Sequence, residues 1–512
     1  MARIIFTLAL AASGLLAQAP TPGTLVHLYP AALDASGQPV TDLTADDFKI
    51  VDQSKAQAVF AFHKPRNEPA VPLDSLEFSN RSSGVTPHIT VILFDLMNQS
   101  QPDRLDTWHA LDKSLPQLES GDFLYFYLLT LEGELVPIHA LGPRSAADAT
   151  WPKDSVSILD KAMKAASHGR PVQLGQEDQA KKTFHQLEVL ATQMALFPGR
   201  RDILWITAGL QNAYNSKLPC SGDWVDCALY VPHLAVTLAA ADVAVNPVFY
   251  SRDLSAGVAP TMTMDTPSNP GKDQLNSVQD RQGTTATHGM QGGGGADPTL
   301  DLAQMARLTG GHSYLRQDIR AVLKQMATNA TATYGLAYAP SADNWDNKFH
   351  VVRVACSRPG VKLELRERYY ALVDPRPAVE RMKAVLMQAY QSPTDFGEVG
   401  LRTKISPLGA DKPGVHIEIR IDPSDLLLRE QGGKHSAALY CLISDRSGAA
   451  PLGEPAVLEL TPELTAEQYK TVMKEGLPFA QDHPTSDAVR QVRVIVLDQN
   501  TSAVGSVTFP VK

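Results

Sequence analysis

The sequence predicts an α/β fold: a doubly wound, mostly parallel sheet with a small N-terminal β segment and a C-terminal antiparallel β-sandwich. Apolar strand-like runs alternate with helix-like stretches from residue 89 to residue 356, a pattern typical of a parallel sheet covered by helices. Shorter alternating runs before and after this region are separated by Gly, Pro and Asp turns, which favours antiparallel strands. The length of 512 residues is enough for about two to four domains.

The composition is that of an ordinary globular protein and argues against two classes of partner. The chain is 44% hydrophobic and 20% charged, with a net charge of −9. No basic stripe appears, so we expect no nucleic acid partner. No apolar run after residue 20 approaches the length of a membrane span, so we expect no transmembrane span beyond the first segment.

The first segment has the features of a secretory signal peptide. Arg3 precedes an apolar stretch over 4–16, and a small-x-small site follows at Ala17-Gln18-Ala19. Pro20 directly after that site hinders cleavage, which leaves open a cut elsewhere or retention of the segment as an anchor. We expect residues 1–19 to be the signal peptide, and the protein to be secreted, periplasmic or bound to the cell envelope.

Four segments follow from changes in pattern along the chain. Residues 20–85 form the N-terminal β segment and a Pro- and Ser-bearing connector. Residues 86–372 carry the strand and helix alternation, with strands over 89–95, 122–131, 202–207 and 243–250. Residues 373–512 contain one amphipathic helix and then the β-sandwich. The helices are predicted over 104–118, 179–196, 231–241, 299–309, 319–329 and 377–390.

One stretch interrupts this order. Residues 255–297 are rich in Thr, Ser, Gln, Asn and Gly and end with glycines 292–295. They lack the apolar content needed to pack, so we predict a flexible insertion. The glycines follow no strand, and no Gly-Lys-Ser/Thr signature is present, so a phosphate-binding loop is not expected.

Two of the four cysteines lie close together in a polar loop. Cys220 and Cys227 bracket Ser-Gly-Asp-Trp-Val-Asp, where a local disulfide is possible in an exported protein. A metal site there is less well supported, since no His and Cys cluster lies nearby. Arg200 and Arg201, directly before a strand, are interpreted as a solvated charge pair rather than as an anion site.

Six segments, taken in their order along the chain, carry a family resemblance. They are DASGQPVTDLTADDFKIVD (34–52), ITVILFDLMNQS (89–100), FPGRRDILWITAGL (197–210), VAVNPVFYSRDL (243–254), LAQMARLTGGHSYL (302–315) and the segment 334–371. Together they cover most of residues 25–371 and resemble the von Willebrand factor A (VWA)-related proteins found in exported form in acidobacteria. The resemblance implies a VWA or Rossmann-like fold for residues 86–372 and a role in protein binding or cell adhesion.

The resemblance implies a metal-ion-dependent adhesion site (MIDAS), which this sequence matches only in part. Asp95 occupies the first position of the Asp-x-Ser-x-Ser loop, but Met97 and Gln99 stand at the two Ser positions. Ala208 stands where the later loop would carry an Asp. Mg²⁺ prefers about six oxygen ligands, and a thioether is a poor one. We therefore expect a degenerate MIDAS, with Asp95, Ser100 and Thr207 as the remaining metal candidates.

The predicted function is a non-enzymatic one, with no cofactor unless Mg²⁺ binds at Asp95. No Gly-x-Ser-x-Gly setting, His-x-x-x-His spacing or His-Glu-x-x-His motif is present. We expect an exported protein that mediates protein–protein interaction or adhesion at the cell envelope or outside the cell. Two alternatives stay open: a metal-dependent adhesion module with a non-standard site at Asp95, and a hydrolase whose site is not visible in the sequence.

Overall fold

The computed structural model describes most of the chain. The described residues are 25–65, 73–81, 88–118, 124–142, 151–152, 160–161, 163–164, 176–209, 230–249, 298–315, 317–340, 344–409, 412–448 and 450–511. Three predictions lie outside these ranges: the signal peptide at 1–19, the flexible insertion at 255–297 and the disulfide between Cys220 and Cys227. Within the described residues, none of the helices combines the length and the apolar character that crossing a membrane requires.

In the described residues, twenty-six strands and seven α-helices follow one another along the chain. The strands in the first half are β1 (Val26–Leu28), β2 (Ala31–Leu33), β3 (Phe48–Asp52), β4 (Lys55–Gln57), β5 (Ala61–His63), β6 (Glu77–Ser79), β7 (His88–Asp95), β8 (Leu124–Leu129), β9 (Leu135–His139), β10 (Arg200–Thr207) and β11 (Val243–Phe249). Those in the second half are β12 (Tyr314–Leu315), β13 (Gly335–Tyr338), β14 (Phe349–Cys356), β15 (Lys362–Glu364), β16 (Arg368–Tyr370), β17 (Leu401–Pro407), β18 (Gly414–Ile421), β19 (Arg429–Gln431), β20 (Lys434–Ser436), β21 (Leu439–Ser447), β22 (Ala450–Leu460), β23 (Glu463–Leu464), β24 (Leu477–Pro484), β25 (Gln491–Asp498) and β26 (Val504–Pro510). The α-helices are α1 (Gln101–Ser114), α2 (Gln176–Met194), α3 (Tyr230–Ala240), α4 (Pro298–Thr309), α5 (Ile319–Ala332), α6 (Ala378–Gln391) and α7 (Ala466–Glu475).

The predicted fold class, a doubly wound and mostly parallel sheet, is wrong for this chain. The described strands form seven separate sheets, and six of these are antiparallel throughout. Strands β13 and β14, which were predicted to continue the strand and helix alternation, pair antiparallel with the N-terminal strands β1, β5 and β3 instead. An apolar periodicity indicates that a strand exists but not which strand it pairs with, and that is why the prediction failed.

One six-stranded sheet carries the candidate site. Its order is β12-β11-β10-β7-β8-β9, and only the last pairing is antiparallel. Every residue of β7 and β8 is buried, because this sheet has apolar clusters on both faces. Residues of α2, α3 and α4 share one cluster, and residues of α1 and α5 share the other.

The N-terminal strands form a smaller β unit together with strands from the middle of the chain. Its sheets are β1-β13-β5, β16-β14-β3-β4 and β2-β15. Phe48, Tyr334 and Phe62 are in ring contact at the centre of its core, with centroids 5.3–5.9 Å apart. The Tyr334 hydroxyl accepts from the Leu43 backbone N–H and donates to the Val40 carbonyl. The β unit therefore joins residues that lie about three hundred positions apart in the chain.

The C-terminal strands pair antiparallel, as a β-sandwich requires. The sheets β24-β18-β17-β6 and β22-β21-β25-β26 contribute side chains to one shared apolar core. Helix α6 packs beside it, and two buried arginines hold the end of this helix: Arg446 donates to Tyr390 O at 2.9 Å, and Arg493 donates to Ser392 O at 2.5 Å. Since the last carbonyls of a helix lack partners within it, these cations complete its hydrogen bonding.

Strand β6 connects the beginning of the chain to the sandwich. It lies within the stretch predicted as a connector, yet it pairs with β17. Asn80 donates to the carbonyls of Phe396 and Val399 at 2.8 Å and accepts from Leu401 N. Arg81 forms an ion pair with Asp425 over the surface of Gly400. Residues 77–81, which precede the six-stranded sheet in the chain, thus belong to the C-terminal sandwich.

Candidate functional site

Asp95 lies at the carboxyl end of β7, in the middle of the six-stranded sheet. Strand β10 runs parallel beside β7, with Leu93 opposite Trp205 and Phe94 opposite Ile206. Successive residues of a strand point to opposite faces, so Trp205 and Thr207 lie on the same face as Leu93 and Asp95. The register therefore places an indole and a hydroxyl beside the Asp95 carboxylate.

Four donors surround this carboxylate, which is fully buried. Its Oδ1 accepts from the Asn98 backbone N–H at 3.0 Å. Its Oδ2 accepts from Asn98 Nδ2 at 2.7 Å, from Trp205 Nε1 at 3.0 Å and from Thr207 Oγ1 at 3.0 Å. Both oxygens of the buried carboxylate therefore have partners within the chain, with three donors on Oδ2 and one on Oδ1.

Helix α2 supports this arrangement from one side. Asn98 Nδ2 also donates to the Thr183 hydroxyl at 2.8 Å, and that hydroxyl donates to Gln179 O at 2.9 Å. Thr183 and Asp95 are both fully buried. The loop after β7 is therefore tied to the helix above it, and the Asn98 side chain has a single orientation in which both of its N–H groups are used.

The electrostatics of Asp95 combine burial with hydrogen bonding. Burial raises the pKa of the Asp95 carboxyl, and the bonds from Asn98, Trp205 and Thr207 oppose that rise. All four contacts are donors, which matches the ionised form, because a protonated acid would need an acceptor. Arg104 supplies the nearby positive charge: burial lowers the pKa of its guanidinium, and the charge of Asp95 opposes that fall.

This geometry does not fit a divalent cation at Asp95. A metal ion needs free oxygen lone pairs, whereas the Asp95 oxygens face the hydrogens of two N–H groups of Asn98, the indole N–H and the Thr207 O–H. In the parts of the chain that the structure describes, no three His, Cys, Asp or Glu side chains group closely enough to hold a metal. The residues around Asp95 therefore do not fit Mg²⁺.

The three predicted metal candidates are only partly brought together. Asp95 and Thr207 are in direct contact, but Ser100 is the N-cap of α1. Its hydroxyl donates to Asp103 Oδ2 at 2.7 Å and accepts from Asp103 N at 3.3 Å, the usual role of Ser at a helix start. Gln99, at the second Ser position of the family pattern, instead donates through Nε2 to Ile206 O.

Sequence reasoning missed Trp205, Asn98 and Thr183. Of these, Trp205 could have been found from the sequence, because it precedes Thr207 by two residues in a strand adjacent to β7. Two polar side chains on one strand face, next to a terminal Asp, predict a hydrogen-bonded cluster once the pairing is known. The sequence does not indicate Thr183, because its contact with Asn98 depends on how α2 packs against the sheet.

Comparisons with known proteins place this chain in no family. No family model matches it, and no curated protein matches it. Two solved structures show a distant likeness. One is an aerotolerance-related membrane protein from Bacteroides fragilis, with 14% identity over 48% of this chain and 98% of that chain, at a TM-score of 0.25. The other is the human COPII-coat protein Sec24c, with 9% identity over 87% of this chain and 48% of that chain, at a TM-score of 0.23. TM-scores this low carry no argument about this chain.

Proposed function

We propose that this is an exported, non-enzymatic protein that binds other proteins at the cell envelope or outside the cell, without a metal ion. The observation that supports metal-independent binding is the hydrogen bonding of Asp95. Asn98, Trp205 and Thr207 donate to both oxygens of this buried carboxylate, which is the one acid retained from the adhesion-site pattern. The adhesion part rests on the resemblance of the sequence to VWA-related proteins.

The physical argument compares two ways of binding a partner. In a metal-dependent adhesion site, the ion keeps one coordination position open for a carboxylate of the partner. Here the carboxylate of Asp95, at the carboxyl end of β7, is hydrogen-bonded within the chain and buried from solvent, so a partner cannot reach it. A partner would therefore be bound by surface side chains and backbone, and its affinity would not depend on divalent cations.

Affinity measurements with and without divalent cations test this proposal. The full chain is immobilised, envelope and extracellular proteins are cross-linked to it, and each candidate partner is purified. Its dissociation constant is then measured in EDTA and in Mg²⁺. We expect saturable binding with equal constants in the two buffers, and the same equality for the variant Thr207→Val. Absence of any saturable protein partner would overturn the proposal.

The metal-dependent alternative has one observation in its favour, since Asp95 and Thr207 are in contact. It predicts the opposite result. Binding would require Mg²⁺ and would be lost in Asp95→Asn, a variant that keeps the shape of the side chain and removes its charge. Thermal unfolding of the free protein in EDTA and Mg²⁺ gives an independent check, because an ion bound to the folded state raises the melting temperature.

A further inference from the structure

Three arginines converge on a cavity at the amino-terminal end of the parallel strands. Arg200 and Arg201 begin β10, and Arg366 reaches in from the segment between β15 and β16. His27 and Tyr29 of the N-terminal β unit form the opposite wall. We name this space the arginine cavity. It lies at the other end of β10 from Thr207, away from the Asp95 cluster.

The interpretation of Arg200 and Arg201 as a solvated charge pair is wrong. Their side chains are only 15% and 10% exposed, and that of Arg366 is 16% exposed. Burial lowers the pKa of Arg366 to about 10 and also lowers the pKa of Arg201. Desolvating a cation is costly unless a charged or polar group compensates it, so each of these arginines needs partners.

The partners within the chain use part of the donor capacity of these arginines. Arg200 donates to Asp202 through Nε at 2.7 Å, and its buried Nη1 has no partner among the described residues. Arg201 donates to the carbonyls of Phe197 and Ala241 at 2.7 and 3.2 Å. Arg366 is ion-paired with Asp242. A guanidinium has five N–H donors and no acceptor. Among the described residues, Arg200 Nη1 is therefore a buried donor without a partner at a cavity lined by three such groups.

The charges at the cavity favour an anion of low charge. Three guanidinium groups line the cavity, and among the described lining residues Asp242 is the one carboxylate. Asp202, Glu364 and Glu398 lie outside the lining and act on Arg200 or Arg201 with negative charge. The positive charge is therefore confined to the wall, and the surrounding carboxylates disfavour a ligand with more than one negative charge. Burial raises the pKa of Tyr29, so its hydroxyl is neutral and can donate as well.

The size of the cavity limits the ligand further. The space open to the centre of a water-sized sphere is about 20 Å³, which accommodates one or two waters or an ion of similar radius. The side chain of Arg366 lies directly over Gly310, where any Cβ would overlap it. A glycine at this position lets the guanidinium reach the cavity, and the wall is therefore closely fitted.

We propose that the arginine cavity binds a small monovalent anion of chloride size. The ion would accept from Arg200 Nη1 and from N–H or O–H groups of Arg201, Arg366 and Tyr29, which line the same cavity. It would join the six-stranded sheet to the N-terminal β unit, because these donors come from both. This site is independent of the proposed protein-binding function and goes beyond it.

Thermal unfolding of the full chain tests the site. The melting temperature is measured in sodium chloride and in sodium gluconate at equal ionic strength, since gluconate is too large for the cavity. We expect the melting temperature to rise with the logarithm of the chloride concentration, by about 1–3 °C for each tenfold increase above the dissociation constant. Arg366→Gln should lose this difference, and Arg353→Gln, which changes an exposed arginine of β14, should keep it.

Two further measurements make the result decisive. Line broadening of the chloride-35 NMR signal by the protein, absent with Arg366→Gln, would support binding directly. If Arg366→Gln does not fold, Tyr29→Phe replaces it, because it removes a single donor. Equal melting temperatures in chloride and gluconate, or a chloride effect that Arg366→Gln leaves unchanged, would overturn the proposal. Equal stabilisation by phosphate would overturn the assignment to a monovalent ion.

Discussion

Replacing Trp205 by Phe is the most direct test of the Asp95 cluster. The indole N–H donates to the Asp95 carboxylate at 3.0 Å, and both side chains are fully buried. The change removes this donor and part of a buried ring. A hydrogen bond to a charged group contributes about 1.5–3 kcal/mol. The lost ring area, roughly 50 Å², contributes about 1 kcal/mol more. We expect the free energy of unfolding to fall by about 3 kcal/mol.

The assay is urea unfolding followed by circular dichroism, with Trp108→Phe as the matched control. Trp108 is also buried, in the apolar cluster on the other face of the sheet, so its truncation reports the loss of area alone, about 1 kcal/mol. A double-mutant cycle of Trp205→Phe with Asp95→Asn should give a coupling energy of about 1 kcal/mol. Equal costs for the two Trp variants, with coupling below about 0.3 kcal/mol, would refute the contact.

Three further predictions concern other parts of the molecule. Burial lowers the pKa of the His88 imidazole, which contacts Asp202, so His88 becomes protonated at a higher pH in the unfolded chain than in the folded one. The free energy of unfolding should therefore fall by about 1.4 kcal/mol per pH unit below about 6.5. Urea unfolding at pH 7 and pH 5 checks this, and His88→Gln should reduce the dependence on pH. Arg493→Met should lower the free energy of unfolding by about 3 kcal/mol, since helix carbonyls lose their donor; a loss under about 1 kcal/mol would contradict this role. Gly505→Ala should prevent folding, seen as loss of the native circular dichroism spectrum, because its Cβ would overlap a backbone carbonyl, whereas Gly142→Ala should fold normally.

The apolar pattern of the sequence predicted where most helices and strands lie, but not which strands pair with each other. The predicted helix over 319–329 begins at Ile319 as observed, because Asp318 caps it and the apolar spacing is regular. The strand ending at Asp95 was also visible, since a buried run stops at a carboxylate. The antiparallel pairing of β13 and β14 with the N-terminal strands was not, because it depends on contacts across about three hundred residues.

The candidate site shows the same division. Asp95 was found because it ends an apolar strand, and Thr207 because the resemblance to VWA-related proteins points to the loop after a later strand. The consequence of bringing them together was not foreseen, since it is the indole of Trp205 that completes the carboxylate's bonding. A strand residue of this size is ordinarily assigned to the apolar core. Its single polar atom shows its role only when the register between β7 and β10 is known.

The position of β6 determines the order in which the molecule can be completed during synthesis. Ser79 donates to Leu401 O across a separation of 322 residues, so β6 leaves the ribosome long before its partner strand exists. Until β17 follows, the short strand has both edges free, and unpaired edges invite pairing with other chains. The pair of β6 and β17 can form only after the 322 residues that separate Ser79 from Leu401 have been made. A nascent chain halted before β17 would thus expose β6, and a chaperone that covers this segment would protect the product from misassembly.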